Sequence, residues 1–365
     1  MKIRLSLHLH PLLLFMPVEK RLCFKNNRGE DIYLFSFINK HGTIVSITNY
    51  GAIITAVKVK INDGTFNDIV LGFDKVEDYL SEHYLKNYAY LGAVCGRYAN
   101  RIKNGIFVLD GKEHRLTRNM GHDQLHGGKE GFDKKTWELV SLKEFPEPTL
   151  ELRYVSKDGE EGFPGNLETI IRFELNDENE LSYEFFATSD QPTAVNLTHH
   201  SYFNLNNGKG TIEDHEIKIN ASYILAQDEG LVCNGEFMAV ANNQYDFRIF
   251  KSINMDWSKA NGYDQCFIID SKSAELDLVA EARSLVSGLT LQVLSTEPAV
   301  QFYTGQGLGN LKGKGEDQYG PFSGFCLETH KHPNAINIPH FPGTVLRPGA
   351  RYYQKNIYKL IESEK

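Results

Sequence analysis

Four segments of this chain combine residue types that can move protons or grip hydroxyl groups. In Gly324-Phe325-Cys326-Leu327-Glu328-Thr329-His330 a carboxylate sits inside an apolar run. Alternation of Glu328 with Phe325 and Leu327 suits a strand with one apolar face, on which the carboxylate would be partly desolvated. Its pKa would then rise toward the range of a general base; a glutamate on an edge strand facing water is the competing reading. In Asn196-Leu197-Thr198-His199-His200-Ser201-Tyr202-Phe203-Asn204-Leu205 two histidines are adjacent. If this run is a strand, successive side chains leave on opposite faces, so His199 and His200 cannot converge on one metal ion. Asn196, Thr198 and His200 would share a face too polar for plain core packing. In Gln124-Leu125-His126-Gly127-Gly128 the glycines allow close backbone approach beside His126, as at ligand-facing histidines. In Gly96-Arg97-Tyr98-Ala99-Asn100-Arg101-Ile102 the forked donors of an arginine suit sugar hydroxyls or a carboxylate, or else a buried structural pairing. Tyr263-Asp264 and Val300-Gln301-Phe302-Tyr303-Thr304-Gly305 are smaller hints of the same kind.

The elements that must hold these groups read as strands. β-Branched and aromatic runs at 31–39, 43–49, 51–61, 149–156, 167–175, 181–187, 215–219, 276–282 and 289–294 are separated by Gly, Asn and Asp. Asn62-Asp63-Gly64 and Asp110-Gly111-Lys112 are tight-turn signals, the second between 106–109 and 113–116. Lys75 to Tyr84 is the best helical candidate. Recurrent short strands without long linkers or repeats predict one large antiparallel β-sandwich or barrel over residues 17–365. The chain has 365 residues, 41% hydrophobic and 12% aromatic, enough for a large buried core.

The formal charge of -8 and the absence of a basic stripe interleaved with aromatics argue against nucleic acid as a partner. Cys23, Cys95, Cys233, Cys266 and Cys326 are scattered, with no CxxC pair, which predicts reduced thiols in a cytoplasmic protein and no zinc knuckle. Lys2 and Arg4 precede an apolar run, Leu5 to Met16, interrupted by His8, His10 and Pro11. This is either a secretory-type signal or an extension outside the folded domain, the latter preferred because no small-residue cleavage site follows. No apolar stretch is long enough to span a membrane.

Taken in order, these segments resemble the aldose 1-epimerase (galactose mutarotase) family. The resemblance runs from about Gly51 to Pro348 and includes Asn49-Tyr50-Gly51-Ala52, Asp68-Ile69-Val70-Leu71-Gly72-Phe73 and Gly131-Phe132-Asp133. Asp158-Gly159-Glu160-Glu161-Gly162-Phe163-Pro164-Gly165 and Leu346-Arg347-Pro348-Gly349 extend it. The resemblance implies a β-supersandwich with the sugar in an open cleft. It implies Glu328 as general base, His200 as general acid and His126 as a second active-site histidine. Arg101, Asp264 and Gln301, with Asn100 beside them, would contact the sugar. Neither cofactor nor metal is expected, and the partner is a small hexose bound by a monomer or homodimer. Two departures from the family pattern bear on sugar preference: His199 where asparagine is usual, and Thr329-His330-Lys331-His332-Pro333 where glutamine and tryptophan are more usual.

The chemistry this implies is ring opening of a hemiacetal, which needs one group to take the C1 hydroxyl proton and another to protonate the ring oxygen. A hexose-6-phosphate mutarotase would want an additional cationic clamp. A silent carbohydrate-binding protein would lack one of the two catalytic groups. A glycoside hydrolase would need two flanking carboxylates, for which Glu328 and Asp264 are the available pair.

Overall fold

The largest sheet is made by the segments whose alternation is clearest. In Leu167–Leu175 every second residue is buried, so Leu167, Thr169, Ile171, Phe173 and Leu175 face inward while Glu168 and Arg172 face out. Its antiparallel partner Glu180–Ser189 sets Phe173 opposite Tyr183 and Ile171 opposite Phe185, apolar pairs that pin the register. The computed structural model, which describes residues 17–61, 64–271 and 275–362, extends this pair to a nine-stranded antiparallel sheet. The N-terminal segment 1–16 and Asn62-Asp63 of the expected turn lie outside the described residues.

A five-stranded sheet packs on the inner face of the large one. Its strands, in order, are Cys233–Ala239, Ala221–Gln227, Asp264–Ile269, Ala299–Tyr303 and Cys326–His330. Phe267, Val300, Phe302 and Leu327 from this sheet share one buried cluster with Phe173, Tyr183, Leu291 and Val293 from the other. Each such side chain, fully withdrawn from water, contributes about 1.5–3 kcal/mol. Thr329 ties the layers, donating to Asn356 Oδ1 at 2.6 Å while its carbonyl accepts from Gln354 Nε2 at 3.0 Å. An N-terminal five-stranded meander, Val18–Lys25 through Phe66–Asp68, adds Phe35, Phe37, Val45 and Ile47 to the same core. The all-β sandwich expected from the sequence is the observed architecture.

Local expectations fare unevenly. The Asp110-Gly111 turn joins Ile106–Leu109 to Lys112–Arg115, with φ of 50° and 78° as a two-residue hairpin of this hand requires. The helix expected over 75–84 is a 3₁₀ turn, Val76–Leu80, and a short α-helix, Glu82–Lys86; Ser81 divides them, its hydroxyl accepting from Tyr84 N at 3.3 Å. The run 196–205, where alternation presupposes a strand, is a strand only at Thr198–His199. The reason lies in its neighbours: Asn196 N bonds to Arg97 O, His200 N to Ala93 O, Phe203 N to Phe325 O and Asn204 N to Ile69 O. The segment passes from the stretch 93–97 to Phe325 and Ile69, three neighbours in all, so no single partner continues a ladder along its whole length.

Candidate active site

Strand pleating brings the first group of polar residues together. Along Cys326–His330, Leu327 enters the core and Thr329 bonds to the large sheet, so Cys326, Glu328 and His330 leave on the other face. Pairing sets Gln301 opposite both Glu328 and Cys266, and Tyr303 opposite Asp264. Asp264, Gln301 and Glu328 therefore form a polar floor across three adjacent strands. Gln301 Nε2 donates to Asp264 Oδ1, and Gln301 Oε1 accepts from Asn100 Nδ2 at 3.2 Å.

The opposite wall is irregular. A two-residue bridge pairs Leu125 with Arg101 and Gln124 with Ile102. At its end Asn100 and His126 both take left-handed backbone conformations, φ 63° and 50°, uncommon for residues with a Cβ. The conformation lets the two residues bond reciprocally: His126 N donates to Asn100 O and Asn100 N donates to His126 Nδ1, each at 3.2 Å. Gly127 follows at φ 90°, where a Cβ would lie 1.9 Å from Gly96 O. Arg101 Nη2 stands 3.9 Å from Asp264 Oδ2, and its Nε is buried without a protein partner.

His200 completes the arrangement from the threaded segment. Its backbone is held on both sides, by His200 N to Ala93 O at 2.8 Å and Gly92 N to His200 O at 2.9 Å. Its ring stacks on Tyr202 with centroids 5.0 Å apart, has Tyr90 on another side at 5.8 Å, and meets Cys326 Sγ through Nδ1 at 3.5 Å. Nε2 faces Glu328 Oε1 at 3.6 Å. Both side chains are buried, Glu328 at 2% exposure and His200 at 4%, and Glu328 Oε2 has no protein partner. These groups line a cavity of about 250 Å³.

Every residue expected at the site is in it: Asn100, Arg101, His126, His200, Asp264, Gln301 and Glu328 all line this cavity. Arg97, the other arginine of its segment, does not; its guanidinium is buried against the carbonyls of Ser156, Lys157, Pro164 and Gly165 rather than against an acid. His199 points the other way from His200. It is fully buried, with Nε2 against Ala52 O at 3.3 Å and Nδ1 against Ser201 Oγ at 3.1 Å, packed on Phe173 and Tyr183. Sequence reasoning missed Tyr90, which lies against both His126 and His200, and Met120 and Tyr88 on the rim. Such side chains carry no mark in the sequence that separates lining from core.

Burial dominates the electrostatics. It raises Glu328 well above the usual carboxylate range, assisted by Asp264 and opposed by Arg101, and lowers His200 to about 4. Desolvation therefore favours the neutral form of each group. His126 is lowered as well, by burial and then by His200 and Arg101. Its hydrogen bonds agree: Nδ1 accepts from Asn100 N–H, so the neutral ring carries its proton on Nε2.

That tautomer also answers a question about metals. His126, His200 and Glu328 each offer a ligand atom within 4.8 Å of the others, a convergence invisible in the sequence. An ion needs a lone pair from each imidazole, and His126 has given its Nδ1 lone pair to Asn100 N–H while its Nε2 carries a proton. The set does not fit a metal without breaking that bond.

A buried acid–base pair with sugar-type polar groups around it agrees with what the chain is similar to. The profile of the family described as aldose 1-epimerase matches residues 33–359. The chain belongs to the aldose 1-epimerase family. It is 43% identical to the galactose mutarotase of Sus scrofa over 312 residues, covering 84% of this chain and 88% of that one. It is 34% identical to the aldose 1-epimerase of Escherichia coli over 341 residues, covering 91% and 96%. Among solved structures, an aldose epimerase homologue from C. elegans superposes with a TM-score of 0.83 at 29% identity, covering 90% of this chain and 98% of that one. The galactose 1-epimerase of Lactobacillus acidophilus does so at 0.80 and 26%, covering 96% and 100%. The protein is accordingly an isomerase of the aldose 1-epimerase class with the galactose mutarotase fold.

Proposed function

We propose that the substrates are free hexoses, galactose and glucose among them, and that Glu328 and His200 are the proton-transfer pair. The observation that carries this is the 3.6 Å approach of Glu328 Oε1 and His200 Nε2 at the floor of the cleft. A cyclic hexose opens when the C1 hydroxyl loses a proton to a base while the ring oxygen gains one and the C1–O5 bond breaks. Glu328 as carboxylate accepts the first proton and His200 as imidazolium supplies the second. After opening, Glu328 is protonated and His200 neutral, which is the distribution that the desolvated site favours. Burial favours the neutral pair, so forming the reacting carboxylate and imidazolium costs what the opening transfer then recovers. Rotation about C1–C2 and reversal of both transfers close the ring on its other face, and the pair returns to its starting state. His126 cannot serve as the acid: protonation would put hydrogens on both ring nitrogens and break its bond from Asn100 N–H. It instead donates Nε2–H to a sugar oxygen, while Arg101, Asp264 and Gln301 hold hydroxyl groups.

Arg101 is the sole arginine or lysine among the described residues lining the cavity, and it already faces Asp264. A phosphate dianion would meet Glu328 and Asp264 without a clamp, so the unphosphorylated sugar is the better match. Polarimetry on freshly dissolved α-galactose and α-glucose, beside glucose 6-phosphate, tests this. Acceleration of the free hexoses is expected. Acceleration confined to the phosphate would overturn the substrate assignment.

A further inference from the structure

The segment 156–165 contributes no side chain to the cavity, yet it grips both flanks of the turn that carries His126. On one flank Arg97 Nη1 donates to Pro164 O and Gly165 O at 2.9 Å, and Nη2 donates to Ser156 O at 3.2 Å and Lys157 O at 3.1 Å. On the other flank the Glu161 carboxylate accepts from Lys129 N through Oε2 and from Glu130 N through Oε1, both at 3.1 Å. The turn between has no slack. A Cβ on Gly127 would collide with Gly96 O, next to Arg97, and one on Gly128 would lie 2.1 Å from Glu161 Oε2. Glu161 itself sits at φ 51°, left-handed, and its backbone carbonyl accepts from Thr117 N at 2.9 Å.

We propose that Glu161 is a positioning residue for His126. Its carboxylate fixes the 127–130 turn, and the turn holds the His126 ring where Nδ1 meets Asn100 N–H and Nε2–H points into the cleft. Charge-assisted bonds to two successive amides are short-range and directional, which suits a clamp. The ring they orient is three residues away. Groups that orient an active-site histidine from behind typically matter by an order of magnitude or more.

This inference rests on the mutarotase reading, so the wild-type rate is measured first, by polarimetry, as the test of that reading alone. A double-mutant cycle then tests the clamp. Glu161→Ala should lower kcat/KM about 10-fold in the wild-type background, a usual loss when a group that orients a working histidine is removed. In a His126→Asn background the same change should cost less than about 2-fold, because residues acting through one another are not additive. Equal losses in both backgrounds, or no loss in either, would overturn the proposal. Should Glu161→Ala fail to fold, Glu161→Gln, which keeps one acceptor oxygen, runs the same cycle. Proton–nitrogen correlation spectra of the histidines give a readout independent of activity. His126 should be the Nε2–H tautomer in the wild type and lose that single state when Glu161 is replaced; an unchanged tautomer would count against the clamp.

Discussion

The hairpin Leu167–Leu175 with Glu180–Ser189 and the region 92–131 spend their backbone hydrogen bonds in opposite ways. In the hairpin, consecutive residues pair in one unbroken antiparallel register, and side chains alternate between core and surface along its whole length. In the region 92–131 the longest strands have four residues, Ile106–Leu109 and Lys112–Arg115, and the bridges beside the cleft have two. Non-glycine residues there adopt positive φ at Asn100, Asn104, Asp110 and His126. The hairpin lends Phe173 and Tyr183 to the core and contributes nothing to the cavity, whereas 92–131 supplies Asn100, Arg101 and His126. Regular pairing offers only two directions per strand. A site that surrounds a sugar needs more, and irregular backbone provides them at the cost of conformations that depend on a rigid scaffold.

The sharpest way to break this contrast is at Glu328, the proposed base, which a regular strand holds. Glu328→Gln keeps its shape and removes the proton acceptor, so polarimetry should show a fall of roughly 10²–10⁴-fold. Near-normal turnover in a folded variant would remove the floor of the cleft from the chemistry. The adjacent histidines come next. His200→Asn should lose about 10²-fold or more, since asparagine cannot release a proton to the ring oxygen. His199→Asn should remain within a few-fold of wild type and show its effect in thermal melts, with a loss of about 1–3 kcal/mol for a disturbed buried hydrogen-bonding group. Equal damage from the two in folded proteins would end the assignment.

The pH profile sharpens the same comparison. Burial raises Glu328 and lowers His200 to about 4, so above that pH the His200 imidazole is neutral. As pH falls through about 4, His200 takes a second proton and no acceptor remains. The rate should therefore drop on the acid side, and this limb should persist in His199→Asn. A smaller effect separates two glycines. Gly127→Ala puts a methyl group against Gly96 O and should displace His126, lowering kcat/KM by about 10- to 100-fold, the usual consequence of ångström-scale misplacement. Gly111→Ala, at φ 78° with nothing within 4 Å, should cost about 1–2 kcal/mol of stability from the backbone alone and leave the rate unchanged. The smallest expected effect is none: prolonged dialysis against EDTA should leave turnover intact. Loss restored by a divalent ion would show that the His126 tautomer inferred from Asn100 N–H is wrong.

Much of the molecule was legible without coordinates. The strands 149–156, 167–175 and 215–219 appear with the expected bounds, and the Asp110-Gly111 hairpin with its turn. The opposite orientations of His199 and His200 followed from alternation, even though only Thr198–His199 is a strand. Tyr90 and Glu161 were not legible. Tyr90 owes its role to the rings on either side of it, and Glu161 to amides more than thirty residues back in the chain.

Residue types and their short-range order determined the fold class, the individual strands and the set of polar groups able to handle a sugar. Those properties come from side-chain alternation and turn chemistry, which operate within about ten residues. Tertiary structure alone supplied the partner that holds each imidazole. His126 and His200 are the same residue type; one meets a backbone N–H from Asn100 and the other meets the carboxylate of Glu328. The protonation state of an imidazole is set by the partner across space, and no pattern along the chain contains that partner.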